Sequence, residues 1–73
     1  MMDIVQRILH IAYRDSLPVQ IIYQGKEGMS QRVIVIKNIN EEGVVAYCRL
    51  RRRISTFKSE HILAAEIIHN KQV

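Results

Sequence analysis

The feature that most constrains the fold is a change in hydrophobic periodicity at Pro18. Between Asp3 and Arg14 the apolar residues recur every three to four positions, which is the spacing of an amphipathic helix. A proline cannot continue a helix, because its ring clashes with the preceding turn and it lacks an N–H donor. After Pro18 the chain is rich in Val, Ile and Tyr, which favour strands. The sequence therefore predicts one helix followed by a β-rich region.

The predicted helix spans about residues 3–15, with Asp3 as its N-cap or first-turn acid. Its apolar stripe consists of Ile4, Val5, Ile8, Leu9, Ile11 and Ala12. A stripe of this kind usually packs on the protein's own core. The alternative is a surface that docks a partner helix or pairs two copies of the protein.

Turn signals divide the remaining chain into five strand candidates. The candidates are residues 19–24, 31–39, 44–50, 54–58 and 63–70. The segment "GKEG" supplies two glycines and two charges for one turn, and "NINEEG" supplies Gly43, which suits a positive φ angle. Five short strands with brief connections suit a small barrel or a strongly bent sheet, because closure removes exposed edges. The predicted fold class is α+β, mainly β: an N-terminal amphipathic helix followed by a five-stranded small barrel.

Length and composition predict a single domain over residues 1–73. Hydrophobic residues make up 48% of the chain and are spread along it, as in a globular protein. The single cysteine, Cys48, cannot close an intramolecular disulfide, and no apolar signal segment opens the chain. The longest aliphatic run, residues 33–36, is too short to span a bilayer. We therefore expect a cytoplasmic protein with no membrane partner.

Positive charge is concentrated in one segment. The net charge is +4, and residues 44–58 hold five cations and no acid. The rest of the chain has six basic and seven acidic residues. Local positive charge attracts phosphates and other anions, whereas spread charge mainly affects solubility.

Strand alternation divides this segment between two faces. The residues predicted to point into the core are Val44, Ala46, Cys48 and Leu50. The predicted outer row is Val45, Tyr47, Arg49 and Arg51.

The next strand candidate extends the outer surface. Phe57 must reach the core, with Ser55 beside it, so Lys58 falls on the outer face near the arginine row. Arg52 and Arg53 are predicted to form the turn between the two strands.

Two explanations of the arginine row remain open. Exposed arginines can cover apolar surface with their stems and block edge-to-edge aggregation. Alternatively, guanidinium groups bind phosphate in a bidentate way and a neighbouring tyrosine can stack on a base, which suits a nucleotide or nucleic acid. Binding is favoured because four arginines without a nearby acid repel one another, and solubility would be served equally well by mixed charges.

One ordered set of residues carries a family resemblance. The set is Ile21, Ile22, Tyr23, Arg32, Ala46, Tyr47, Cys48, Leu50, Arg51, Thr56, Phe57 and Ile62. It resembles the WYL domain, a bacterial module with an Sm-like small-barrel fold that usually follows a winged-helix DNA-binding domain in transcriptional regulators. The resemblance covers about residues 17–68 and implies an Sm-like barrel, about residues 17–70, with a ligand-binding surface.

Several positions depart from the family pattern. The name-giving Trp-Tyr-Leu would fall at Glu42, Gly43 and Val44, and the other departures are Ile36, Arg49, Ser55 and His61. Some of the lost residues belong to the family's presumed ligand-binding surface. Nearby cations, namely Arg49, Arg52, Arg53 and Lys58, could replace the lost charge, but a changed ligand or no ligand is equally compatible.

Catalysis, a metal and a cofactor are not expected. His10, His61 and His69 lack the spacing of a zinc site, and Cys48 has no convincing base partner. The "GKEG" turn is not followed by the helix of a phosphate-binding loop.

We therefore predict a non-catalytic regulatory module that binds nucleic acid or an anionic nucleotide-type ligand. The predicted binding residues are Tyr47, Arg49, Arg51, Arg52 and Arg53, with Arg32 and Lys58 at the flanks and Tyr23 as either a stacking residue or a boundary core residue. The alternative is a protein–protein interaction or homo-oligomerisation module that acts on a transcriptional regulator. One short helix cannot form a winged helix with its own core, so direct reading of base sequence is not expected.

Overall fold

The computed structural model describes residues 3–68 of the chain. It has one helix, α1 (Ile4–Asp15), followed by five strands. The strands are β1 (Pro18–Gly25), β2 (Gly28–Asn40), β3 (Gly43–Cys48), β4 (Arg53–Phe57) and β5 (Ile62–Ile67), and a single 3₁₀ turn, Ser59–His61, joins β4 to β5. The prediction of one helix followed by five strands is confirmed. The last two positions of the fifth strand candidate, His69 and Asn70, lie outside the described residues.

The helix begins and ends where the sequence predicts. The Asp3 side chain caps it by accepting a hydrogen bond from the Gln6 N–H at 2.9 Å. Ser16 ends it in the left-handed conformation, and Pro18 starts the first strand. Leu9 and Ala12 are fully buried in the chain's own core and Val5 and Ile8 pack against it, whereas Ile4, at the start of the stripe, is 72% exposed. The helix packs mainly against β2 and β5.

The five strands form one antiparallel sheet with the order β4-β3-β2-β1-β5. This order leaves β4 and β5 as the two edges, so the predicted barrel is not closed by backbone hydrogen bonds. The 3₁₀ turn Ser59–His61 contacts both β1 and β3. The end of β4 is thereby brought back towards β1, although the two edges share no ladder.

The sheet is nevertheless strongly curled. Tyr23 pairs with Ser30 on β2, whereas Phe57 pairs with Val44, which in turn pairs with Ile39 on β2. Nine residues of β2 separate these two positions, or about 30 Å along a flat strand. The rings of Tyr23 and Phe57 are instead in edge-to-face contact, with centroids 5.1 Å apart.

Two irregularities in the ladders accompany this curl. The β2–β3 register shifts between Ile36 and Asn38, and the β1–β5 register shifts between Ile22 and Tyr23. Shifts of this kind bend a strand and increase its twist. The inner face of the bent sheet and the helix enclose one apolar core. Its buried members are Leu9, Ala12, Val19, Ile21, Ile34, Ile36, Val44, Ala46, Cys48, Phe57 and Ile62.

The predicted alternation of β3 is confirmed up to Cys48. Val44, Ala46 and Cys48 are buried, as is Phe57 on the next strand. Leu50, predicted to be inward, is 71% exposed. The prediction is wrong because β3 ends at Cys48, so that Leu50 lies in the following turn.

Gly43 shows how closely the curled strands approach. It has a φ of 142°, a left-handed value that residues with a side chain rarely adopt. A Cβ added there would overlap the Phe57 carbonyl oxygen and lie 2.9 Å from the Lys58 Cα. A side chain at this position would therefore push β4 away from β3.

We expect Gly43→Ala to lower the free energy of unfolding by more than the roughly 1–3 kcal/mol that backbone strain alone costs. Gly28→Ala is the matched control, because Gly28 also has a positive φ, 113°, but its added Cβ would meet no atom within 4 Å. Urea denaturation of both variants measures the difference. Equal losses of stability in the two variants would contradict the close β3–β4 packing.

Candidate anion-binding cleft

The turn between β3 and β4 carries most of the arginine cluster. Cys48 pairs with Arg53, so the turn consists of residues 49–52, hereafter the arginine turn. The Arg52 N–H donates to the Cys48 carbonyl at 2.7 Å, and Arg52 has a φ of 58°. The Arg49 N–H donates to the Val33 carbonyl at 3.1 Å, which anchors the start of the turn to β2.

This geometry corrects the predicted positions of the arginines. Arg49 and Arg51 were expected on one strand face, and Arg52 and Arg53 at the turn. Arg49, Arg51 and Arg52 lie in the arginine turn, whereas Arg53 is the first residue of β4. The placement of Arg52 at the turn is confirmed. The placements of the other three arginines are wrong because the left-handed residue of the turn is Arg52, and no glycine or asparagine marked that position.

A cleft lies between the arginine turn and the β1–β2 hairpin, with a volume of about 450 Å³. Tyr23 and Arg32 line it from the sheet, and Arg51 lines it from the arginine turn. We call it the Tyr23 cleft. Its other lining residues are Gly25, Lys26, Glu27, Gly28, Met29 and Ser30. It therefore combines an aromatic ring with three cations and one carboxylate.

Arg32 reaches the cleft from the inner side of β2. It pairs with the buried Ile21 and is itself half-buried. Its Nε donates to Ser30 Oγ at 3.3 Å, and its Nη1 donates to Cys48 Sγ at 3.7 Å. These contacts fix the guanidinium group at the wall of the cleft. Predicted as a flanking residue, Arg32 lines the same cleft as Tyr23.

A second compartment adjoins the Tyr23 cleft and shares Tyr23 with it. Besides Tyr23, it is lined by Gln24, Gly25, Lys26, Lys58 and His61. The ring centroids of Tyr23 and His61 are 6.0 Å apart. Tyr23 is half-buried and lines both compartments, as do Gly25 and Lys26. Sequence reasoning did not include Lys26 or His61 among the site residues, because their approach to Tyr23 depends on the curl of the sheet.

The other predicted site residues are not brought into this cleft. Tyr47 pairs with Val35 and Ile54 on the outer face of the sheet, opposite its buried neighbours on β3. Arg49, Arg52 and Arg53 are exposed but do not line either compartment. The predicted row of Tyr47 with Arg49 and Arg51 is therefore wrong, because the strand ends before the arginines.

Lys58 lies between the second compartment and an acidic group of residues. It lines a further surface depression with Thr56 and three exposed carboxylates, Glu41, Glu42 and Glu60. We call these three residues the acidic rim. Within residues 3–68 the only ion pair shorter than 4 Å is Arg14–Asp15, on the helix. The arginines at the Tyr23 cleft therefore have no carboxylate partner among the described residues.

The surroundings of Cys48 favour its thiolate form. Burial raises the pKa of the Cys48 thiol, but the Arg51 N–H, the Arg32 guanidinium group and the Leu50 N–H together lower it more. The net effect is a pKa below the ordinary value of 9.0. Arg32 and the arginine turn thus lower the pKa of a thiol at the end of β3.

Comparison with known proteins assigns no family. No protein-family model matches the sequence, and no curated protein is significantly similar to it. No helix within residues 3–68 is long and apolar enough to cross a membrane. In the same residues no group of three His, Cys, Asp or Glu side chains is placed to hold a metal ion. His69, considered as a ligand in the sequence, lies outside the described part of the chain.

The lowered pKa of Cys48 predicts a pH-dependent contribution to stability. A group whose pKa is lower in the folded state stabilises the fold above its unfolded-state pKa and loses that contribution as the pH falls through the folded-state value. We expect the difference in free energy of unfolding between the wild type and Cys48→Ala to increase as the pH rises towards 9.0.

Denaturant titrations of both proteins at several pH values provide the measurement. Arg32→Met should reduce the pH dependence, because it removes one of the groups that lower the pKa. A difference that stays constant or decreases with pH would show that burial dominates at Cys48.

Proposed function

We propose that the chain is a non-catalytic binding module for an anionic, nucleotide-type ligand or a nucleic acid, and that the Tyr23 cleft is its binding site. The observation that carries the proposal is the convergence of Tyr23, Arg32 and Arg51 from three separate segments on one cleft. Guanidinium groups form strong charge-assisted hydrogen bonds with phosphate oxygens. A neighbouring aromatic ring offers a stacking or packing surface for a base.

The orientation of Arg32 supports this assignment. Its Nε and Nη1 already donate to Ser30 and Cys48, which restricts the rotation of the side chain before any ligand arrives. A donor held in position loses less conformational entropy on binding than a free surface arginine. Arg51, which is exposed, can approach an anion from the other side of the cleft.

We further infer that the module is WYL-like and has an Sm-like fold. The curled five-stranded sheet behind an N-terminal helix is compatible with that resemblance, as are Tyr23 and Arg32 in the cleft. A cytoplasmic, regulatory role in bacteria is the setting that the resemblance implies. Glu42, Gly43 and Ser55 stand where the family has Trp, Tyr and Arg. The absence of these family residues argues for a ligand that differs from the family's usual one.

Replacing Arg51 by Ala tests the site. The loss of one charge-assisted hydrogen bond costs about 1.5–3 kcal/mol, which corresponds to roughly tenfold weaker binding or more. Arg49→Ala is the matched control, because it removes the same charge from the same turn at a position that does not line the cleft. Anisotropy titrations with labelled single-stranded DNA, RNA and duplex DNA, and calorimetry with mononucleotides, measure the affinities.

The outcome separates a site from a diffuse cationic surface. A site predicts that Arg51→Ala weakens binding far more than Arg49→Ala. A diffuse surface predicts equal, small losses of affinity in the two variants. It also predicts that the logarithm of the binding constant falls with the logarithm of the salt concentration, by about 0.9 per neutralised phosphate on duplex DNA or 0.7 on single strands. Equal losses, or no binding of any of these probes at low salt, would overturn the proposal.

A second candidate function is association with another protein or with a second copy of the chain. The observation that favours it is the two unpaired sheet edges, β4 and β5, which carry the exposed apolar residues Ile54 and Leu63. Unpaired edge strands are templates for pairing with another chain. The helix is not part of this candidate, because Leu9 and Ala12 are used by the core.

Sedimentation of the wild type over a range of concentrations tests this second candidate. Edge pairing predicts a concentration-dependent increase in mass that persists at high salt and is lost in Ile54→Lys or Leu63→Lys. Ile4→Lys is the control, since Ile4 is 72% exposed but lies on the helix. A monomer at every concentration would rule out self-association through these edges.

A further inference from the structure

The two compartments beside Tyr23 share part of their lining. Tyr23, Gly25 and Lys26 line both the Tyr23 cleft and the compartment of Lys58 and His61. These shared residues make the two compartments neighbours at the end of β1 and the turn that follows it. One ligand that passes Tyr23 can therefore occupy both.

Positive charge is present in both compartments. The Tyr23 cleft has Arg32 and Arg51, with Glu27 as the single carboxylate of its lining. The second compartment has Lys58, and its lining contains no carboxylate. Lys26 is common to the two. Four cations and one carboxylate therefore line the joined groove, and each compartment has a cation that the other lacks.

The two lysines of the second compartment are not neutralised by ion pairs. Lys58 also lines the depression that holds the acidic rim, yet its ammonium group has no carboxylate within 4 Å among residues 3–68. The same is true of Lys26 in this part of the chain. Both lysines are exposed. Their ammonium groups can therefore turn towards an anion in the groove.

Tyr23 presents an aromatic surface that the two compartments share. Its ring is held by the edge-to-face contact with the buried Phe57, at a centroid distance of 5.1 Å. The His61 ring lies 6.0 Å away on the side of the second compartment, at an angle of 59°. Flat ligand rings stack on aromatic side chains of this kind whichever base they carry.

We propose, on the basis of the proposed function, that the two compartments form one groove for a ligand with phosphate on both sides of a nucleoside. One phosphate binds Arg32 and Arg51, and the other binds Lys58. The base packs against Tyr23, and Lys26 contributes to both phosphates. The ligand class is a nucleoside 3′,5′-bisphosphate unit, which occurs as a free nucleotide and in the interior of a nucleic-acid strand. Once one phosphate is held, binding of the second is intramolecular, which raises the affinity.

Thymidine phosphates test this arrangement. The 3′,5′-bisphosphate carries phosphate on both sides of the nucleoside, whereas thymidine 5′-triphosphate carries three phosphates on one side. A diffuse cationic surface binds the two ligands about equally, because their total charges are similar. The proposal predicts that the wild type binds the bisphosphate several-fold more tightly than the triphosphate or either thymidine monophosphate, as measured by calorimetry at low salt.

Lys58→Ala removes the cation that belongs to the second compartment alone. It should weaken bisphosphate binding several-fold and leave triphosphate binding almost unchanged. Lys37→Ala is the matched control, since Lys37 is an exposed lysine on β2 that lines neither compartment. Its loss should have a small and equal effect on the two ligands. Both substitutions lie at exposed positions and preserve the core.

A short single strand of thymidylate separates the two sources of the bisphosphate unit. A strand that displaces the bisphosphate shows that a strand interior fits the groove. A strand that does not displace it restricts the groove to the free nucleotide. Both results support recognition on two sides, provided that Lys58→Ala weakens the ligand that binds.

The remaining outcomes separate this inference from the proposed function. Equal binding of the triphosphate and the bisphosphate that is lost in Arg51→Ala but not in Lys58→Ala would overturn the inference and leave the Tyr23 cleft as the anion site. Equal effects of Lys58→Ala and Lys37→Ala would also overturn it, because general charge would then explain the loss. No binding of any thymidine phosphate, together with no binding of the nucleic-acid probes, would overturn both.

Discussion

The curl of the sheet is the constraint on which the rest of the structure depends. It brings Tyr23 and Phe57 into edge-to-face contact, although the sheet ladders place them about nine residues apart along β2. The register shift next to Ile36 and the side-chain-free Gly43 accompany this bend. The curled inner face, covered by the helix, lets a short chain bury a single apolar core.

The same curl determines where the residues of the candidate site lie. Because β4 turns back towards β1, the connection that follows it brings Lys58 and His61 to one side of Tyr23. The arginine turn places Arg51 in the cleft that Tyr23 and Arg32 also line. Tyr23 packs against Phe57 and lines both compartments, so it belongs to the core boundary and to the candidate site at once. The two roles considered for it from the sequence are compatible.

Much of the fold could be predicted from local patterns. Helical periodicity and Pro18 predicted the helix and the start of the β-rich region. Period-two alternation predicted the inward residues of β3 up to Cys48. The end of β3 could not be predicted, because Arg52 adopts the left-handed conformation without the glycine that usually signals it. That single error placed Leu50 in the core and put Arg49 and Arg51 on a strand with Tyr47. The cleft itself depends on contacts between distant segments, which no local pattern contains.

The central claim is that Tyr23, Arg32 and Arg51 form the anion-binding site, and chemical-shift mapping tests it most directly. Isotope-labelled protein would be titrated with a thymidine monophosphate while the backbone and arginine side-chain resonances are followed. The account predicts saturable shifts concentrated at Tyr23, Arg32 and the arginine turn, with Tyr47 and the outer face unaffected. Saturable shifts centred on Tyr47 and the outer face, or no shifts at any residue, would contradict it.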